Sequence, residues 1–71
     1  MPIIAHVKIG GNVKATRRGR FMTQAQLAKA AGISPRTLVN IETNRVEPQF
    51  STILKIAEAL EVDPSELVEE E

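Results

Sequence analysis

"TQAQLAKAAGISPRTLVNIE", residues 23–42, holds two helix starts and one helix stop within a single short stretch. Thr23 followed three residues later by Gln26 is a capping box, in which each side chain serves the other's backbone N–H. Met22 before the cap and Leu27 four positions into the helix form a hydrophobic staple. Gly32 falls where a helix end calls for a left-handed residue. Ser34 is then a second cap, and Pro35 occupies a first helical position, where a missing N–H costs nothing.

Two short helices joined by so few residues match a helix-turn-helix unit. At about 100° per residue, Leu38, Ile41 and Glu42 share one side of the second helix of the pair. That side is expected to dock on Leu27, Ala28 and Ala31, where small residues let two backbones approach. Arg36, Val39, Asn40 and Thr43 share the opposite side. A face serving only water would favour Glu, Lys or Ala, so this polar face asks for a partner.

The rest of the chain reads outward from this pair. Upstream, Ile3, Ala5, Val7 and Ile9 alternate and Gly10 and Gly11 follow, a strand pattern with no second strand in the chain to pair with. Ile3, Ile4 and Val7 also fit a short helix. Residues 1–11 are accordingly read as an N-terminal arm, a strand pairing across a dimer, and residues 12–71 as one domain. Asn12 is the expected cap of a helix over about 13–19, carrying Val13 inward. Downstream, "NRVEPQF" is an irregular link, and Ser51 is the expected cap of a helix whose Ile53, Ile56, Ala57 and Leu60 recur at helical spacing. Asp63, Pro64 and Glu66 signal a fifth start.

Seventy-one residues make one domain near the size where a single core becomes marginal. Cysteine is absent and His6 is the lone imidazole, which excludes disulfides and a cysteine/histidine metal site. No apolar run approaches the roughly 18 residues of a membrane span, and no signal-peptide pattern is present. No nucleophile–base pair, phosphate loop or metal set points to an enzyme, and no cofactor is expected. The zero net charge conceals a division. Residues 1–45 carry eight Lys and Arg against Glu42 alone, whereas residues 46–71 carry Lys55 against eight acids. A basic half suits a polyanion, and an acidic half points away from it.

The string "IGGNVK..R....MTQAQLAKAAGISPRTLVNIETNR..P.FSTILKIAEALEVDPSELV", residues 9–68, resembles the DNA-binding domain of the lambda-repressor and Cro family, also called the xenobiotic-response-element type. Gln24, Ala28, Gly32, Leu38 and Ile41 fall at that family's spacing for helix start, close-packed alanine, turn glycine and two buried anchors. The resemblance implies an all-α, five-helix bundle acting as a dimer, with its third helix in the major groove of double-stranded DNA. Carried over by position, Pro35, Arg36, Thr37 and Asn40 face the bases. Gln24, Ser34, Asn44 and Arg45 meet the phosphate backbone. Arg17 and Glu42 match a structural ion pair joining helices one and three.

Three departures set expectations of their own. Phe21 stands where the family commonly has glycine, so that turn should be made differently, with Gly19 as its glycine. Glu61 replaces the glycine after the fourth helix, where a left-handed conformation would cost on the order of 1 kcal/mol. Gln49 stands where some relatives place an arginine near the minor groove.

Chemically, Arg36 can fork onto guanine O6 and N7, Asn40 can engage adenine N6 and N7, and Thr37 or Val39 can pack on a thymine methyl. Lys14, Arg18, Arg20 and Lys29 are further candidates for phosphate. The expected function is a sequence-specific transcriptional regulator, a repressor binding a near-palindromic operator as a homodimer, paired through the arm Ile3, Ala5, Val7 and Ile9, which is favoured, or through the C-terminal helices. Its expected place is the prokaryotic or phage-infected cytoplasm, on the nucleoid. The alternatives are an antitoxin that also binds a toxin protein and, further off, a protein–protein adaptor.

Overall fold

The computed structural model describes residues 9–68, which form α1 (Ile9–Gly19), α2 (Gln24–Ala31), α3 (Pro35–Glu42), α4 (Phe50–Leu60) and α5 (Pro64–Leu67), with no strand among them. The all-α, five-helix architecture is the one expected. α4 packs on α2 and α1 on α3, while α5 rests against both α4 and α1. Val13, Leu27, Ala28, Leu38, Ile56, Leu60 and Leu67 meet in a core that excludes water almost completely. None of the described helices is long and apolar enough to cross a membrane.

α1 starts earlier than its cap signal suggests. Ile9, Gly10, Gly11 and Asn12 are all helical. Ile9 is therefore no member of an arm but the first helical residue, half-buried against the core one turn before Val13. The boundary drawn after residue 11 falls inside this helix; Ile3, Ala5 and Val7 lie outside the described residues. Ile9 belongs to both an alternating row and a row of period four, and burial with Val13 and Arg17 decides for the second. Asn12 lies inside the helix rather than before it, and its side-chain amide donates to the Leu67 carbonyl at 3.0 Å, tying α1 to α5.

Gly10 explains itself only in three dimensions. A Cβ at this position would sit against the Ile41 carbonyl oxygen and 2.6 Å from Asn44 Oδ1. The start of α1 is thus pressed onto the end of α3 at a distance only glycine permits. Asn44 Oδ1 accepts a hydrogen bond from the Gly10 N–H at 3.3 Å across this contact.

The ends of α1 to α4 share one hydrogen-bond pattern. A left-handed residue follows each helix, and the N–H after it bonds back to a carbonyl five positions earlier: Met22 to Arg17 at 3.1 Å, Ile33 to Ala28 at 2.9 Å, Arg45 to Asn40 at 2.9 Å and Val62 to Ala57 at 3.0 Å. The left-handed residues are Phe21 (φ 57°), Gly32 (71°), Asn44 (59°) and Glu61 (59°). The first turn is therefore not made through Gly19, which is an ordinary helical residue; Phe21 itself takes the glycine conformation. α4 also departs from expectation. It begins at Phe50 with Gln49 in the cap position, extended and making no side-chain cap bond, so Ser51 lies inside the helix. Pro48 favours extended backbone in the residue before it, and the chain turns helical directly after Gln49.

Candidate nucleic-acid interface

α3 is presented by the geometry of its start. Ser34 is extended (φ −73°, ψ 150°), and its Oγ accepts the Thr37 N–H at 3.0 Å. The same hydroxyl donates to Thr37 Oγ1 at 2.8 Å, so the Ser34 hydroxyl is committed to the cap, while Thr37, as acceptor, keeps its own proton. Pro35 and Arg36 stand exposed on the first turn, Asn40 is half-exposed one turn on, and Thr43 is exposed at the end. Leu38, Ile41 and Glu42 face inward. The division between exposed side and docking side is thus the one the periodicity predicts.

Beneath α3 lies a buried polar cluster. Arg17 and Glu42 retain only 8% and 5% of their exposure, too little to leave either charge to water. Arg17 Nε donates to Glu42 Oε2 at 2.7 Å and its NH2 donates to Oε1 at 3.1 Å, a two-pronged pair. Its remaining NH1 donates to the Met22 carbonyl at 2.8 Å, in the turn that opens α2. Gln24 Nε2 donates to Glu42 Oε1 at 3.0 Å. One carboxylate therefore anchors the last turn of α3 to α1 and to the first turn of α2. No buried side-chain polar atom among the described residues is left without a partner.

The residues expected at the phosphates fall into two groups. Gln24 and Asn44 are engaged within the fold, Gln24 with Glu42 and Asn44 with Gly10. Each keeps donors over: the second amide proton of Gln24 and the side-chain amide of Asn44. Arg45 is exposed, and so is Ser34, although its hydroxyl is engaged with Thr37 in the cap. Arg20 is drawn elsewhere, donating to the Glu61 carbonyl at 3.2 Å and lying 3.4 Å from its carboxylate. It serves the acidic end of the molecule. The Gln24–Glu42 and Gly10–Asn44 bonds escape sequence reading because their partners lie 18 and 34 residues apart. A glycine inside a helix was the one local signal of the second.

The helix-turn-helix family pattern matches residues 13–67. The chain is 41% identical over 63 residues to the immunity repressor protein of Bacillus phage phi105, an alignment covering 89% of this chain and 44% of that protein. This chain thus spans less than half the length of that relative. Among solved structures it resembles the restriction-modification controller protein C.AhdI from Aeromonas hydrophila, at 30% identity and a TM-score of 0.83, over 86% of this chain and 92% of that one. It also resembles the P22 c2 repressor protein, solved in complex with a synthetic operator, at 28% identity and a TM-score of 0.79, with the same coverage. With the paired helices, the left-handed corner and the pinned third helix in place, the chain belongs to the helix-turn-helix family of lambda-repressor and Cro type.

Proposed function

We propose that this chain is a sequence-specific DNA-binding transcriptional regulator, a repressor, acting as a homodimer on a near-palindromic double-stranded operator in the prokaryotic or phage-infected cytoplasm. α3 enters the major groove. Arg36 forks onto a guanine and Asn40 onto an adenine, with Pro35 and Thr37 beside them at the front of the helix. Gln24, Ser34, Asn44 and Arg45 hold phosphates and set the register. The observation that carries this reading is the exposed Arg36–Asn40 side of a helix whose opposite side is pinned by the buried Arg17–Glu42 pair. Such rigidity is what base reading needs, since a bidentate contact tolerates little displacement. α4 and α5, which lie in the acidic part of the chain, turn away from the duplex.

Selection of binders from a random duplex pool at about 0.1–0.15 M salt tests the proposal, since only specific contacts outlast the screening of phosphate attraction there. An inverted repeat with half-sites about one helical turn, or about 34 Å, apart is the expected result. A pool left without any enriched sequence overturns it.

A further inference from the structure

Asn44 holds a left-handed backbone (φ 59°) just after α3, a conformation that Asn takes more readily than most residues. The turn around it is firmly bonded. Thr43 Oγ1 donates to the Val39 carbonyl at 2.8 Å, the Asn44 N–H to the Ile41 carbonyl at 3.1 Å and the Arg45 N–H to the Asn40 carbonyl at 2.9 Å. Asn44 is exposed, whereas Gly10, in the first turn of α1, is buried. The Gly10 N–H donates to Asn44 Oδ1 at 3.3 Å. A backbone N–H can only donate, so it selects which end of the amide faces it. The oxygen is held against α1. Nδ2, on the other branch of the same planar group, keeps both protons free of any partner among the described residues. Gln24 differs, because its Nε2 has spent one proton on Glu42. The contact also has no slack: a Cβ on Gly10 would come within 2.6 Å of Asn44 Oδ1 and 3.0 Å of the Glu42 carbonyl oxygen. Glycine is what lets the donor come this close.

We propose that Gly10 is a positioning residue for DNA: through Asn44 Oδ1, its N–H turns both Asn44 amide protons outward, toward one phosphate of the operator backbone. This inference rests on the phosphate contact proposed above for Asn44 and adds what aims it. A neutral amide contributes direction rather than charge, since the phosphate oxygen must lie close to the line of its N–H. Exposed Arg45, next in the chain, supplies the charge. The last torsion of an unrestrained asparagine is broad and roughly twofold, so its amide offers oxygen to a phosphate as readily as nitrogen. The Gly10 N–H removes that second orientation before binding, and less freedom is lost on contact. The same bond makes the first turn of α1 part of the register on the duplex without any α1 side chain touching DNA there.

The test replaces the Ile9–Gly10 amide of the full chain by an ester, introduced by chemical synthesis, which removes the N–H and adds no Cβ. Its companion is Asn44→Gly, which suits the left-handed backbone and removes the side-chain amide. Thermal melts establish that each chain is folded, and fluorescence anisotropy over a range of salt gives affinities for a duplex selected by the parent. Asn44→Gly is expected to bind about tenfold more weakly, the worth of a hydrogen bond to a charged group, with its salt slope unchanged because no cation is lost. The ester is expected to lose about twofold or more, since a freed amide presents its protons in one of two orientations. In the Asn44→Gly chain the ester should change nothing further. A neutral methylphosphonate placed at each phosphate in turn should reveal one position per half-site that weakens the parent and leaves Asn44→Gly untouched. An ester chain that binds as the parent does overturns the positioning role and leaves Gly10 a structural contact. So does an ester that costs as much affinity in the Asn44→Gly chain as in the parent, because the loss then bypasses Asn44. If Asn44→Gly binds as the parent does, the phosphate contact itself has failed and the positioning role falls with it. A parent that selects no sequence marks the separate failure of base reading.

Discussion

The corner between α2 and α3, Gly32, Ile33, Ser34 and Pro35, and the corner between α4 and α5, Glu61, Val62, Asp63 and Pro64, share one geometry. Gly32 (φ 71°, ψ 30°) and Glu61 (φ 59°, ψ 41°) are both left-handed, a half-buried β-branched residue follows each, and Ser34 (φ −73°, ψ 150°) and Asp63 (φ −70°, ψ 136°) are both extended caps before a proline. The N–H groups of Ile33 and Val62 close the preceding helix with bonds of 2.9 and 3.0 Å. What differs is the residue that takes the left-handed conformation and what the corner leads to. One opens onto α3 and uses glycine, which meets no steric penalty there. The other opens onto a four-residue helix and uses glutamate, with Arg20 donating to the Glu61 carbonyl from the end of α1. The same backbone path is thus reached without strain in one place and under constraint in the other.

The largest test of this comparison removes what α3 has beneath it and α5 lacks. Glu42→Ala leaves Arg17 buried without its counter-charge, and breaking such a pair costs roughly 3–5 kcal/mol. A domain of this size has a total stability of only about 4–10 kcal/mol. Denaturant unfolding should therefore show the variant close to its folding limit at 25 °C. Replacing both partners, Arg17→Met with Glu42→Leu, should restore a large part of the loss, because no buried charge then stands alone. A double variant as unstable as the single one would mean that the links to Met22 and Gln24, rather than the charge pair, hold α3 in place.

Next comes the exchange of the two left-handed residues. Nothing lies within 4 Å of the position a Cβ would take on Gly32, so Gly32→Ala meets no clash and pays only the backbone term. It should lose about 1 kcal/mol, read as a lower unfolding midpoint. Glu61→Gly should gain up to about 1 kcal/mol by the reverse argument, reduced by the greater freedom of glycine in the unfolded chain. If Glu61→Gly proves neutral, the Arg20 contacts have already offset the strain, and Arg20→Ala in the same background separates the two. Phe21→Gly, at a left-handed residue 94% exposed, should behave as Glu61→Gly does.

The two corners also show which parts of the fold were legible in the sequence. Thr23, Ser34 and Asp63 were readable as caps because each has its signal within three residues: Gln26 after Thr23, Pro35 after Ser34, and both Pro64 and Glu66 after Asp63. Gly32 was readable because glycine advertises its conformation. Phe21 was not, since its left-handed backbone follows from the Met22–Arg17 bond and from Arg17 reaching the Met22 carbonyl, neither of which residue type discloses. The start of α1 was misplaced because Ile9 fits two periods at once. The start of α4 was misplaced because Gln49 makes no side-chain bond that Ser51 could be compared with. Of the candidate interface, the exposed side of α3 was visible from periodicity alone. The engagement of Gln24, Asn44 and Thr43 was not, because each bond is fixed by packing or by the choice of rotamer.

The smallest expected effect concerns how the two caps depend on pH. Ser34 carries no charge at any pH, whereas hydrogen bonds from Ser65, chiefly from its backbone N–H, hold the Asp63 carboxyl below its ordinary range. A group whose acidity is strengthened by folding stabilises the fold above its unfolded pKa, and that contribution is lost as pH falls through the lower folded value. The α4–α5 corner should therefore weaken on the acid side of about pH 4, where free aspartate begins to take up protons, while the α2–α3 corner does not. Thermal melts from pH 7 down to pH 3 on the parent and on Asp63→Asn isolate this term, since asparagine caps equally well but does not titrate. The difference in midpoint between the two proteins should narrow, or change sign in favour of asparagine, as pH falls. Because the carboxylate is exposed the change will be slight, and a difference constant across that range would mean that the cap bond persists through the protonated acid.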